Sequence, residues 1–248
     1  TLKGKGSVGL ITYLRTDSTR ISEEADASCR EYIAQQYGEQ FVGDKTAVKS
    51  SKTGKIQDAH EAIRPTDSSL SPAMLKEQLP RDLFRLYQLI WTRFLASRMA
   101  EAVYETTSVK IGAGDYRFNV AASKVKFDGF MTVYSYDSEK STMNAAMKKI
   151  TKDTEITLSG LDPQQHFTQP PAHFTEASLV KTLEELGIGR PSTYAPTITT
   201  LLARRYIVKE SKNLYITELG EAVNDMMEDG FPTIVDVNFT ANMESLLD

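Results

Sequence analysis

Ser7-Val8-Gly9-Leu10-Ile11-Thr12-Tyr13-Leu14-Arg15-Thr16, followed by Asp17-Ser18-Thr19, sets the reading of this chain. Its apolar and β-branched residues predict a strand over 7–16, broken at Asp17-Ser18-Thr19. Side chains on a strand alternate between its two faces. Leu10, Thr12 and Leu14 then share one face, and Ile11, Tyr13 and Arg15 the other. A phenol and a guanidinium thus stand side by side. A neutral phenol, with a pKa of about 10, is a weak nucleophile. A neighbouring Arg stabilises the developing phenolate and grips phosphate with its planar fork. Such a pair suits attack on a phosphodiester. Taken alone, Tyr-x-Arg is a frequent accident and fits a packed strand tyrosine beside a surface arginine.

Downstream, Ser22 is placed to cap a helix, with Glu23 and Glu24 in the first turn, where the helix dipole favours acids. Ile21, Ala25, Cys29 and Ile33 recur at i+4 up to Tyr37, and Gly38 is the stop. Residues 43–58 predict a loop. From Lys45 to Arg64 there are five basic and two acidic residues. The loop leads into Asp58-Ala59-His60-Glu61-Ala62-Ile63-Arg64-Pro65. Arg64 stands where the zinc motif His-Glu-x-x-His has its second histidine, so a metal reading is weak. A histidine that charges near neutrality, with Arg64 four residues on, suits an anion site. A capped turn with a structural histidine is the alternative. An amphipathic helix is predicted over about 82–101, its apolar face formed by Leu83, Leu86, Tyr87, Ile90, Phe94 and Leu95.

Past Val103 the texture turns β-like, over Thr107–Ile111, Tyr116–Lys126, Met131–Tyr136 and Glu155–Leu161, which predicts a sheet module. A helix follows over about 176–186, with Thr175 as N-cap. Then come Gly187-Ile188-Gly189-Arg190-Pro191-Ser192-Thr193-Tyr194 and a helix to about Arg205. A hairpin around Ser211-Lys212-Asn213 and a helix from near Glu218 complete the order. Helix, turn, helix, hairpin is a winged-helix-like arrangement. Ser192 and Thr193 at a helix N-terminus, with Arg190 just before, form a phosphate-binding combination, and Tyr194 is placed to stack on a base. A tight turn between helices is the alternative.

Composition bounds these readings. The chain has 248 residues, 40% hydrophobic and 25% charged, as in globular proteins. No apolar run approaches the ~18 residues of a membrane span. One cysteine allows no internal disulfide, which fits a reducing compartment. The net charge of −4 hides a split: Leu214–Asp248 holds eight acids and no Lys or Arg. The first 213 residues set all 29 basic residues against 25 acidic ones, a balance of +4.

Three blocks of the chain resemble, in order and spacing, motifs of the bacterial type IA DNA topoisomerase I family. They are Gly9–Ser18, Ala59–Pro65, and Gly187–Tyr194 with Arg204 in the helix that follows. The resemblance spans essentially the whole chain. It implies an α+β multidomain gate fragment. A helical tyrosine-bearing domain would cover 1–103, part of a β-rich arch 104–165, and part of a winged-helix-like, single-strand-binding domain 166–248. It implies an ATP-independent isomerase that relaxes negative supercoils by cleaving and religating one strand. Tyr13 would form a 5′-phosphotyrosine, Arg15 would position the scissile phosphate, and His60 would contact phosphate or assist the tyrosine. Arg64, Arg190, Ser192, Thr193, Tyr194 and Arg204 would bind DNA.

Family members place magnesium in an N-terminal Toprim domain. No Asp-x-Asp occurs here, so no metal ligand and no resident cofactor are expected in this stretch, and the isolated piece is expected not to relax DNA. Single-stranded or underwound DNA is the expected partner, without a membrane. A monomer in the bacterial cytoplasm, associated with the nucleoid, is the expected state. A DNA-binding module without covalent chemistry is the alternative. A tyrosine recombinase would carry its tyrosine near the C-terminus, which disfavours that class.

Overall fold

A computed structural model describes residues 6–14, 16, 18–44, 60–134, 150–152 and 154–247. The chain divides into two compact units, Thr1–Ser159 and Gly160–Asp248.

In the first unit, α1 (Glu23–Tyr37) starts as its sequence dictates. The Ser22 hydroxyl accepts from the Ala25 N–H, and Glu23, Glu24 and Asp26 occupy the first turn. Gly38 ends it with its N–H on the Ala34 carbonyl. After the short α2 (Pro72–Leu75), α3 (Arg81–Ala96) stops before the predicted limit of 101. Tertiary contacts pull the chain out of the helix there. Gly43 N–H donates to the Arg98 carbonyl at 2.9 Å, and Ala100 N–H to that of Phe41 at 2.8 Å. Cys29 and Ile33 of α1 meet Tyr87, Trp91, Phe94 and Leu95 of α3 in one core with Leu70, Leu75 and Met99. Leu83 and Leu86, predicted for that face, are about half exposed.

The expected strand over 7–16 is absent from the described residues. An isolated antiparallel bridge joins Ile11 to Pro65, and Leu10 and Ile11 both pack on the core. Strict alternation needs a continuous ladder, and the backbone hydrogen bonds to residues 64–66 cover only a few positions. The predicted sheet module is a two-stranded antiparallel ribbon of β1 (Val103–Ala113) and β2 (Tyr116–Phe127). Met131 lies instead in a 3-10 turn (Gly129–Thr132), and residues 155–161 form no ladder. Val133 caps that turn, and the last two residues of the third stretch, like most of the 43–58 loop, lie outside the described residues.

The second unit begins with α4 (Glu176–Glu185). Thr175 and Ser178 hydrogen-bond each other's backbone N–H in a capping box. Then come α5 (Tyr194–Ala203), an antiparallel pair of β3 (Ile207–Glu210) and β4 (Asn213–Ile216), α6 (Glu218–Gly230), α7 (Pro232–Val235) and α8 (Val237–Leu247). Among the described residues, Ile198 and Leu214 are its buried apolar side chains. The Thr217 hydroxyl accepts from the Gly220 N–H and caps α6. A Cβ on Gly220 would collide with the Tyr206 carbonyl oxygen, so this backbone approach requires glycine. The architecture is thus mixed helix and sheet with small antiparallel sheets.

Candidate functional site

Tyr13 is placed through its neighbour Thr12. Thr12 N–H donates to the Arg64 carbonyl at 2.9 Å, and Thr66 N–H to that of Leu10 at 3.1 Å. The Thr12 hydroxyl donates to the Ala62 carbonyl at 2.7 Å and accepts from the Arg64 N–H at 2.9 Å. The Thr66 hydroxyl donates to the Gly9 carbonyl at 2.7 Å. Blocks 52 positions apart are stitched together in this way. The Tyr13 and His60 rings lie 5.4 Å apart, tilted by 33°. Tyr13 stays 60% exposed. Arg15, the third residue expected here, lies outside the described residues.

Arg64 turns its guanidinium inward. Its Nε and Nη2 donate to Glu61 Oε2 at 3.0 and 2.7 Å, and its Nη1 to the Pro65 carbonyl at 3.0 Å. Those bonds, against slight burial, hold the Glu61 carboxyl below the usual range, helped by Ser22 and Arg20. The i,i+3 spacing of Glu61 and Arg64 was a readable signal for this pair. Sequence reasoning also missed a second brace. The Asp26 carboxylate accepts from Arg30 at 2.6 Å and from Arg98 at 3.0 Å, and Arg30 also donates to the Gly43 carbonyl. Asp26 and Arg30 share i,i+4 spacing, but nothing local announces Arg98. Burial pushes the thiol of Cys29 up to about 11, which keeps it protonated and poorly nucleophilic.

In the second unit, Gly189 gathers the other expected residues. Its φ is +81°, and a Cβ there would sit 3.0 Å from Thr193 Oγ1 and 3.1 Å from the Tyr194 ring. Arg190 N–H donates to Thr193 Oγ1 at 2.9 Å, and the Thr193 hydroxyl to the Arg190 carbonyl at 3.1 Å. Ser192 is exposed. The start of α5 offers fewer open donors than the sequence suggested. Tyr194 N–H is spent on the Arg190 carbonyl at 3.3 Å, and Pro196 has no N–H. Arg204 is the C-cap of α5, at the end opposite Tyr194, so the helix separates it from that cluster by about 15 Å. The structure brings together Arg190, Thr193 and Tyr194, and leaves Arg204 apart.

Among the described residues no group of three or more His, Cys, Asp or Glu side chains is placed to hold a metal ion. None of their helices is long and apolar enough to cross a membrane.

A DNA topoisomerase family model matches residues 6–248. The chain is also similar to the full-length topoisomerase I of Thermotoga maritima, solved in a monoclinic crystal form. The two are 37% identical with a TM-score of 0.76, over 99% of this chain and 39% of that one. The chain thus spans about two fifths of that relative's length. The blocks around Tyr13, His60 and Gly189 lie inside the matched span, and the chain belongs to the bacterial type IA DNA topoisomerase family.

Proposed function

We propose that Tyr13 is the nucleophile of DNA strand cleavage and religation. Its oxygen attacks a backbone phosphorus of single-stranded or underwound DNA, and the bond from phosphorus to the 3′ oxygen breaks. A 5′-phosphotyrosine forms, a proton leaves the phenol, and the 3′ oxygen takes one up. Reversal by the 3′-hydroxyl restores the strand after another has passed. Two transesterifications conserve the bond energy, so relaxation of negative supercoils needs no ATP.

The observation that carries this reading is an exposed tyrosine, whose block is stitched to the His60 block, with the His60 ring 5.4 Å away. His60 contacts the phosphate or assists the phenol. Arg15 offsets charge on the phosphorane-like transition state. Arg64 acts near DNA from its brace on Glu61, while Arg190, Ser192, Thr193, Tyr194 and Arg204 follow the single strand. Residues 1–103, 104–165 and 166–248 serve as gate, arch and strand-binding portions of a monomer in the bacterial cytoplasm, at the nucleoid. Magnesium serves the whole enzyme. The described residues do not fit a site for it, and no step here is routed through it. The 248-residue polypeptide by itself does not relax plasmid DNA, in line with its 39% coverage of the Thermotoga chain.

The test places this segment in a chimera with the rest of the Thermotoga enzyme. A single-stranded oligonucleotide labelled at its 3′ end should give a covalent protein adduct that Tyr13→Phe abolishes. An adduct that persists in Tyr13→Phe, or forms with the 5′ label instead, refutes the assignment. Tight binding with no adduct at all favours a module that only binds DNA.

A further inference from the structure

Thr12 differs from its neighbours in how many bonds one side chain makes across the two blocks. Its hydroxyl donates to the Ala62 carbonyl at 2.7 Å and accepts the Arg64 N–H at 2.9 Å. Its own N–H donates to the Arg64 carbonyl at 2.9 Å. The residue therefore spends its hydroxyl and its amide on one three-residue stretch, from Ala62 to Arg64. On either side of this clasp stand the two rings of the site. Tyr13 follows Thr12 directly, and His60 precedes Ala62 by two residues. Arg64, whose backbone the clasp holds on both sides, fixes Glu61 through its side chain at 2.7 Å. The C-terminal half of the His60 block, from Ala62 to Arg64, is thus tied to the tyrosine segment through one hydroxyl.

We propose that Thr12 is a positioning residue that sets the Tyr13–His60 geometry through its hydroxyl. A threonine suits this task. Its β-branch stiffens χ1, so the hydroxyl is held toward the opposing backbone. A serine keeps the donor and acceptor but loses the methyl. A valine keeps the shape and loses both bonds, leaving the Ala62 carbonyl and the Arg64 N–H without that partner. Thr66 gives a contrast: it too bonds across the blocks, to the Gly9 carbonyl at 2.7 Å, but on the far side of the bridge from Tyr13. The role rests on Tyr13 being the reacting group, yet its test reads geometry rather than chemistry. An absent adduct would sink the proposed reaction and leave the test of Thr12 unaffected.

The experiment is NMR of the 248-residue chain. It has three histidines, and His60→Gln assigns the resonances of His60. Tyr13→Leu removes the ring current and defines the shift of the His60 ring protons that the contact produces. Thr12→Val should reproduce most of that shift and speed exchange of the Arg64 amide. Thr12→Ser and Thr66→Val should leave the His60 protons at their wild-type positions. Unmoved His60 protons in a folded Thr12→Val overturn the proposal. So does a Thr12→Ser protein whose His60 protons move as in Tyr13→Leu, because the hydroxyl is then not what sets the contact. Should Thr12→Val lose its fold by circular dichroism, the Thr12→Ser and Thr66→Val comparison decides alone.

Discussion

Removing one hydroxyl from the core should cost the first unit much of its margin. Tyr87 of α3 is 3% exposed, and its hydroxyl donates to the Leu70 carbonyl at 2.7 Å. One turn on, Trp91 Nε1 donates to the Ser68 carbonyl at 3.0 Å. These two bonds anchor the segment that continues from Pro65 and hence from the His60 block. Tyr87→Phe keeps the ring and its packing but leaves the Leu70 carbonyl facing an apolar edge. A buried polar group left unsatisfied costs about 1–3 kcal/mol. With a urea slope of about 2 kcal/mol/M, the middle of that range lowers the unfolding midpoint by roughly 1 M.

The chain supplies its own reporter, since Trp91 is the single tryptophan and lies in the first unit. Its fluorescence follows unfolding of that unit. Leu95→Ala, at a fully buried position, calibrates the scale at about 2–5 kcal/mol through lost packing alone. A Tyr87→Phe midpoint equal to wild type, with the slope unchanged, refutes the reasoning. Alkaline pH gives a second reading of the same bond. Burial pushes the Tyr87 hydroxyl well above the ordinary tyrosine value. A raised value in the folded state means a contribution present in full below pH about 10 and lost as pH rises through the folded value. Tyr87→Phe should therefore flatten part of the alkaline loss of stability.

Acid should act through Asp26. Burial pulls its carboxyl upward, but the hydrogen bonds and charges of Arg30 and Arg98 together outweigh that, so it lies below the usual range. Its contribution is then full above pH about 4 and lost as pH falls through the lower folded value. Asp26→Asn should cost about 3 kcal/mol, near the low end for a broken buried pair because Asp26 is 21% exposed. Urea melts at pH 7 and pH 3 check this, and an equal loss at both pH values contradicts it. In the second unit, Gly189→Ala should cost about 1–2 kcal/mol from its left-handed backbone, read by thermal melting. An unchanged melt contradicts the strain argument. If Arg190 contacts one phosphate, Arg190→Ala should reduce the slope of log K against log salt by about 0.7 for a single-stranded oligonucleotide. Anisotropy titrations at several salt concentrations give that slope, and an unchanged one removes Arg190 from the DNA-contacting residues.

What the sequence revealed follows the range of the forces involved. Ser22, Gly38 and Thr175 were readable because a cap is settled within about four residues. Tyr87, Phe94 and Leu95 were readable because helical spacing selects one face. The strand over 7–16 was misread because a strand exists only where a partner ladder forms, and the partner begins some fifty residues away. The end of α3 was misplaced for the same reason: Asp26 and the Phe41–Gly43 stretch draw residues 98–100 out of the helix. For the site, residue types pointed to Tyr13 and His60 as separate anion-directed motifs, and only the resemblance to a family joined them. Residue type alone suggested Arg64 as a DNA contact, while its three-residue spacing from Glu61 announces the ion pair that the structure shows.

The net charge of −4 is also a matter of range. Electrostatic attraction to a DNA strand is summed over about a Debye length, ~10 Å at 0.1 M salt, so a chain total says little about a local surface. Between Leu186 and Lys212 five basic residues stand against one acidic. Arg204 and Arg205 are exposed there. Four of the eight acids from Leu214 onward have other work close at hand. Glu218 and Glu221 lie in the first turn of α6, where the exposed N–H groups favour negative charge. Asp236 accepts the N–H groups of Asn238 and Phe239 at 2.7 and 3.1 Å as α8 begins. Glu228 accepts from Asn224 along α6 at 2.9 Å. Acids that start and line helices lower the isoelectric point without entering the basic segment. A low isoelectric point therefore argues against DNA binding only when charge is spread evenly, and in this chain it is not.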